Sequence, residues 1–200
     1  MLIEKTIKDY FDRTNKFITE EDIQKIYKGI INICLKNNID INSLSYLSEG
    51  ESSLAFITGD KIIKFIPVDK GIKLTEYLKD SKYIVQPLVE ETVSIKYPPN
   101  IYFIDYEFDM SIVITEKLNT DKEISLTETL ALAKKLLNDG YIWTDIKPKN
   151  IGIDKDGNIK LFDYGQLSNR RYDKNFSSNL ELFNKTFESL SKTKKRNFFK

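Results

Sequence analysis

The 200-residue chain carries 31 basic and 30 acidic side chains, a net charge of +1, so no global field directs it to nucleic acid or to acidic partners. It has no histidine, which excludes His-based triads, His-ligated zinc and imidazole pH switches; its one cysteine, Cys34, cannot form an internal disulfide and fits a reducing compartment. The length allows one good core or two small lobes, and the start, MLIEKTIKDYF, has early acids and no long apolar run, so neither a secretory signal nor a membrane span is expected.

From about Ile3 to Lys36 the apolar spacing predicts two helices. Ile3, Ile7, Tyr10 and Phe11 share one face, and Ile23, Ile26, Tyr27, Ile30, Ile31 and Leu35 share another, with Cys34 expected to be buried. Thr19 ahead of Glu20, Glu21 and Asp22 is a suitable start for the second helix, and Asn37-Asn38 its end. Helices this short need tertiary packing, so residues 1–42 are expected to lie against the main domain.

From Ile41 the pattern turns to strands. Tyr46–Ile57 predicts a hairpin with a small-residue tip, and Thr58-Gly59-Asp60 turns into the strand Lys61–Ile66. A short helix is expected in Gly71–Asp80. Further strands are expected at Tyr83–Leu88, Asn100–Tyr106 and Met110–Thr115, with Pro98-Pro99 in a loop. Ser125–Asn138 is predicted helical, opened by a Ser125/Glu128 capping box and closed by Asp139-Gly140.

The stretch Tyr141–Gly165, YIWTDIKPKNIGIDKDGNIKLFDYG, carries the chemistry. Asp145 and Asp163 each follow a strand-like apolar run, and the Asp-Gly-Asn cluster at Asp156–Asn158 predicts a hairpin that brings the Asp145–Asn150 loop and Asp163 to one end. Beyond Gly165, Asn169–Ser177 is expected to be a loop, Asn179–Leu190 an amphipathic helix and Lys192–Lys200 a solvated basic tail.

D-x-K-P-x-N, a short hairpin and then D-Y-G resembles the catalytic loop and metal-binding motif of eukaryotic-type protein kinases, in a compact or truncated form. The resemblance covers roughly Leu44 to Leu190. It implies an α+β, two-lobed fold with a small antiparallel N-lobe (43–118) and a shortened, mainly helical C-lobe (119–200). It also implies ATP with Mg2+ or Mn2+ as cofactors. Under it, Asp145 orients or accepts the proton of the substrate hydroxyl and Lys147 steadies the transferred phosphoryl group, while Asn150 and Asp163 hold the metal. Ser48, Gly50 and Ser53 occupy the three glycine positions of the phosphate loop. Lys64 becomes the lysine on the α- and β-phosphates, with Glu76 as its partner and Glu90 or Glu91 as the fallback. Thr115 is the gate residue, and the hinge that pairs with adenine runs from Glu116 to Leu118.

The sequence also departs from the family. Only the middle glycine of the phosphate loop is kept, Trp143 and Thr144 replace the histidine and arginine before the catalytic aspartate, and no A-P-E-like motif follows Gly165. Without that arginine a phosphorylated activation loop lacks a local charge to pair with, so the active geometry is expected from packing or from a partner. The N-terminal helical pair is the internal candidate for bracing the helix that carries Glu76. The resemblance therefore implies a serine/threonine protein kinase-like phosphotransferase acting on a protein substrate. The alternative is a kinase-like pseudokinase whose nucleotide site supports partner binding. A small-molecule kinase is disfavoured by Lys147. The expected location is cytoplasmic, or the host cytoplasm if the chain resembles delivered bacterial effectors or viral kinases.

Overall fold

A computed structural model describes residues 2–13, 18–49, 53–69, 71–96 and 107–197. The chain divides into two compact units: 1–76 with 87–117, and 77–86 with 118–200. The architecture is mixed α/β, with an antiparallel five-stranded sheet and several helices among the described residues. Gly50, Pro98-Pro99 and the predicted strand at Asn100–Tyr106 lie outside the described residues.

The first unit opens with α1 (Leu2–Arg13) and α2 (Glu20–Lys36). Thr19 caps α2 by accepting from the Asp22 N–H at 3.1 Å, and Asn37 ends it, followed by Asn38 at φ 54. Its sheet is built from β1 (Ser45–Glu49), β2 (Leu54–Thr58), β3 (Lys61–Val68), β4 (Val89–Lys96) and β5 (Glu107–Glu116), in the order β1-β2-β3-β5-β4. The alternation of side chains gives this sheet two different faces. On one, Leu54, Phe56, Ile63, Phe65, Met110, Ile112 and Ile114 meet Ile7, Tyr10, Phe11, Ile26, Ile30 and Ile33 of the helices in a single hydrophobic core. Tyr10 and Phe11 both pack on the Phe65 ring, with centroids 5.6 and 6.1 Å away. A Cβ on Gly29 would come within 2.4 Å of Ile112 Cδ1, so α2 lies directly on the sheet. The buried face of α2 runs through Ile33 and Cys34; Leu35, expected inside, is 69% exposed.

A short helix α3 (Leu74–Leu78) lies between β3 and β4. The expected strand at Tyr83–Leu88 is absent: Ile84 makes only an isolated bridge to Leu161, and the strand begins at Val89. In β4, Val89, Val93 and Ile95 lie on the helix-covered face, while Glu90 lies on the other. The period-two signal was broken at Glu90-Glu91.

The second unit contains α4 (Leu126–Asn138), β6 (Tyr141–Trp143), β7 (Ile151–Ile153), β8 (Ile159–Leu161), β9 (Leu167–Asn169) and α5 (Phe176–Asn197). Ser125 and Glu128 form the expected capping box on α4, and Gly140 at φ 88 closes it. β7 and β8 form the expected hairpin, and β6 pairs antiparallel with β9. The Asp154 carboxylate organises the hairpin turn by accepting from the Asp156 and Asn158 amides at 3.0 and 2.8 Å. Burial alone would push this carboxyl up, but the Asn158 and Lys160 contacts outweigh it and bring it down to about 2. Two expectations after Gly165 are corrected. The expected Asn169–Ser177 loop is shorter, because Asn169 belongs to β9, for which β6 offers a pairing edge, and α5 already starts at Phe176. The expected Lys192–Lys200 tail is helical as far as Asn197, since lysine and arginine are good helix formers even in a charged run.

Candidate active site

In the second unit, β6 buries Tyr141, Ile142 and Trp143 and so delivers Asp145 to a half-exposed position at the strand's end. Lys147 then turns into a 3-10 segment, Pro148–Asn150, that places Asn150 inside. Asp145 accepts from both neighbours: Lys147 Nζ lies 2.5 Å from its Oδ1, and Asn150 Nδ2 donates to its Oδ2 at 2.8 Å. The same Asn150 amide donates to the Asp145 carbonyl at 3.1 Å. Partial burial raises the Asp145 carboxyl, but the hydrogen bonds from Lys147 and Asn150 and the charges of Lys147 and Lys149 overcome it and hold it below the usual carboxylate range.

Asp163 is brought in through the backbone. The Asn150 carbonyl accepts from the Phe162 and Asp163 N–H groups at 3.1 and 3.4 Å. The hairpin β7–β8 closes the gap of twelve residues between Asn150 and Asp163, as its turn residues required. Asp163 is exposed, and its Oδ1 accepts from the Gly165 N–H at 3.1 Å. Tyr164 points the other way, buried, with its hydroxyl donating to the Val85 carbonyl at 2.5 Å. Asp145, Lys147, Asn150 and Asp163 are thus one hydrogen-bonded constellation. Among the described residues no cluster of three or more His, Cys, Asp or Glu side chains could hold a metal.

In the first unit, Ser48, Ala55, Lys64, Val113 and Glu90 pair directly across the five strands, one row on the face that the helices leave uncovered. Lys64 is half-buried there, and Ser48 lies two strands away, after an irregularity in the β1 register. Ser53 is half-buried at the entry to β2. Glu76 lies on α3 and is exposed. The fallback acids are engaged elsewhere: Glu90 with α3, and Glu91 with Lys36 on the helix-covered face. Thr115 is buried, and Glu116 ends β5 opposite Lys61. Leu118, buried, opens the second unit, where it packs on Gly152; a Cβ there would lie 2.7 Å from Leu118 Cβ, so glycine is needed.

Sequence reasoning missed Tyr77. Its hydroxyl donates toward Asp173 Oδ2 at 2.5 Å and the Leu167 carbonyl at 2.9 Å, and accepts from the Asn169 N–H at 3.0 Å. Burial, then the Asp173 hydrogen bond, push this phenol well above its ordinary value, so it stays protonated. No local pattern could have announced it, since its partners are some ninety residues away. Tyr77→Phe is expected to destabilise the second unit by about 1–3 kcal/mol, because Asp173 and Asn169 lose a buried partner; urea unfolding measures this.

No family model matches the chain. Over 172 residues it is 27% identical to a probable serine/threonine-protein kinase of Dictyostelium discoideum, a match that takes in 74% of this chain and 37% of that protein. The likeness is to protein kinases, and it is distant. The chain spans little more than a third of that relative's length. Among solved structures it is similar to WbdD. One is the co-crystal structure with the kinase inhibitor LY294002, at TM-score 0.34, 16% identity, and coverage of 74% of this chain and 45% of that one. Another is the 2.2 Å crystal structure, at TM-score 0.35 and 16% identity, covering 72% and 45%. Among the described residues no helix is long and apolar enough to cross a membrane.

Proposed function

We propose that this chain is an ATP- and Mg2+- (or Mn2+-) dependent phosphotransferase of the serine/threonine protein kinase-like class, acting on a protein hydroxyl. The observation that carries this is the Asp145 carboxylate, bonded at once to Lys147 and Asn150, with the Asn150 carbonyl tied to the Asp163 amide. In this reading the two units are the two lobes. The Lys64 row with Ser48, Gly50 and Ser53 serves the phosphates, and Glu116 and Leu118 serve the adenine.

The donor set fits a hard divalent ion. Asn150 spends its NH2 on Asp145, which leaves its amide oxygen as the ligand atom, and Asp163 adds a carboxylate. The Asn150 amide oxygen and the Asp163 carboxylate would be this chain's ligands to the ion, which would supply charge neutralisation on the phosphates. The chain's own residues do the rest. Asp145, kept ionised, orients the acceptor hydroxyl and takes its proton, and Lys147 stands beside it to balance charge on the phosphoryl group. Thr144 bonds Gln166 through its backbone N–H at 3.1 Å, so the chain just beyond Gly165 is held by β6–β9 pairing without a phosphate. Control by activation-loop phosphorylation is therefore not part of the proposal.

Two results are expected. Calorimetry should show tight ATP binding with magnesium and weak binding in excess chelator, and Asp163→Ala should remove the magnesium-dependent gain; equal affinities under all three conditions would sink the metal roles. The pH–rate profile should stay flat down to about pH 5. A carboxyl whose folded value is depressed keeps its active, ionised form above that value and loses it only as pH falls through it, here below the ordinary aspartate value of about 3.9. A midpoint near neutrality would assign the base elsewhere.

A further inference from the structure

Helix α3 (Leu74–Leu78) carries Glu76 and buries Leu74 and Leu78, but its N-terminus has no cap of its own. It has only five residues, and the residue before it, Lys73, offers no acceptor for the first-turn amides, which have no partner inside any helix. The acceptor comes from β4. Glu90 Oε1 accepts from the Leu74 N–H at 2.7 Å, and Oε2 from the Thr75 N–H at 2.9 Å and the Thr75 hydroxyl at 2.8 Å. The buried Ser111 hydroxyl, from the neighbouring strand, donates to Oε1 and fixes the carboxylate from the sheet side. All four donors are neutral, so the carboxylate's charge is directed at the helix N-terminus, where a negative charge is favoured. A second carboxylate from the same face, Asp109, holds the approach to the helix: it accepts from the Gly71 N–H at 2.8 Å and the Ser94 hydroxyl at 2.7 Å.

Glu90 stands in the same cross-sheet row as Lys64, with Val113 between them. The side chain that holds α3 and the lysine that Glu76 would serve are therefore fixed to one another by strand pairing. We propose that Glu90 is a positioning residue for phosphoryl transfer: it replaces the missing cap of α3 and so sets where Glu76 stands with respect to the Lys64 row. This rests on the function proposed above.

The test uses the full chain and the variants Glu90→Gln, Glu76→Gln and their combination. An amide at position 90 keeps the size but sets an N–H2 against backbone N–H donors, so the Leu74 and Thr75 amides should exchange with solvent markedly faster. In the transfer assay Glu90→Gln should lower kcat on the order of tenfold to a hundredfold, the scale of a displaced positioning group, with the KM for ATP nearly unchanged. The double variant should be no worse than Glu76→Gln alone, because both changes remove one interaction. Unchanged exchange at Leu74 and Thr75, or losses that multiply in the double variant, would overturn the proposal. If Glu90→Gln fails to fold, Thr75→Val, which removes one donor and keeps the shape, takes its place with the same two criteria. A wild type that transfers no phosphate defeats the proposed function, whereas the exchange measurement still decides whether Glu90 holds α3.

Discussion

Asp145→Asn is expected to lower the rate of phosphoryl transfer by about a thousandfold while leaving the protein folded. The loss follows from chemistry, since an amide cannot take the hydroxyl proton, and general base catalysis contributes on the order of 10²–10⁴ in rate. Orientation suffers as well. Asp145 now accepts from the Lys147 ammonium and the Asn150 NH2 on separate oxygens, and an amide at that position presents one oxygen and a competing donor. Folding should survive because Asp145 is half-exposed, whereas the strand that delivers it is anchored by the buried Tyr141, Ile142 and Trp143. Initial rates with a peptide acceptor, alongside a thermal melt, measure both. An unchanged rate would remove Asp145 from the chemistry; a collapsed melt would make it structural.

Deleting α1 and α2 is expected to unfold the first unit. Residues 1–42 are expected from the sequence to lie against the main domain, and α1 and α2 do pack on the sheet. Ile7, Tyr10, Phe11, Ile26, Ile30, Ile33 and Cys34 are fully buried, and they form one core with Phe65, Ile112 and the rest of the sheet's apolar face. That face is the one opposite Lys64 and Glu90, so these helices do not touch α3's side of the sheet through it; they make the sheet possible. Removing one core aromatic or isoleucine costs about 2–5 kcal/mol, and a whole domain is stable by only about 5–15. The truncated chain should lose its cooperative unfolding transition and ATP binding together, and become rapidly cleaved by protease. A smaller cut at the same place, Phe11→Ala, should cost about 3–5 kcal/mol in urea unfolding. Retention of full ATP affinity after deletion of residues 1–36 would show that the sheet holds without them.

What was legible in the sequence had its cause nearby. Thr19 and Ser125 announce their helices because a cap acts within three residues, and Asp154–Asn158 announces its hairpin because the Asp154 side chain bonds its own turn. The candidate site was legible for the same reason: Asp145, Lys147 and Asn150 fall within six residues, and the short hairpin fixes Asp163 beside them. What stayed hidden depends on distant partners. β4 was overlooked because Glu90 and Glu91 interrupt its apolar alternation, and each is explained by a contact far along the chain: Glu90 with Leu74 and Thr75, Glu91 with Lys36. β9 is three residues that become a strand only beside β6. Lys192–Lys200 is expected to be a solvated tail because charge density signals solvation, but charge does not forbid a helix, and α5 continues to Asn197.

The central claim is that this constellation moves a phosphoryl group and does not merely hold a nucleotide. Its most direct measurement is incubation of the wild-type chain with γ-labelled ATP and magnesium, with the chain itself and a generic serine/threonine acceptor as targets. The account predicts label on a hydroxyl, dependent on the divalent ion and absent from Asp145→Asn. Saturable magnesium-dependent ATP binding with no label transferred above the Asp145→Asn level would contradict it, and would leave a nucleotide-binding module in place of an enzyme.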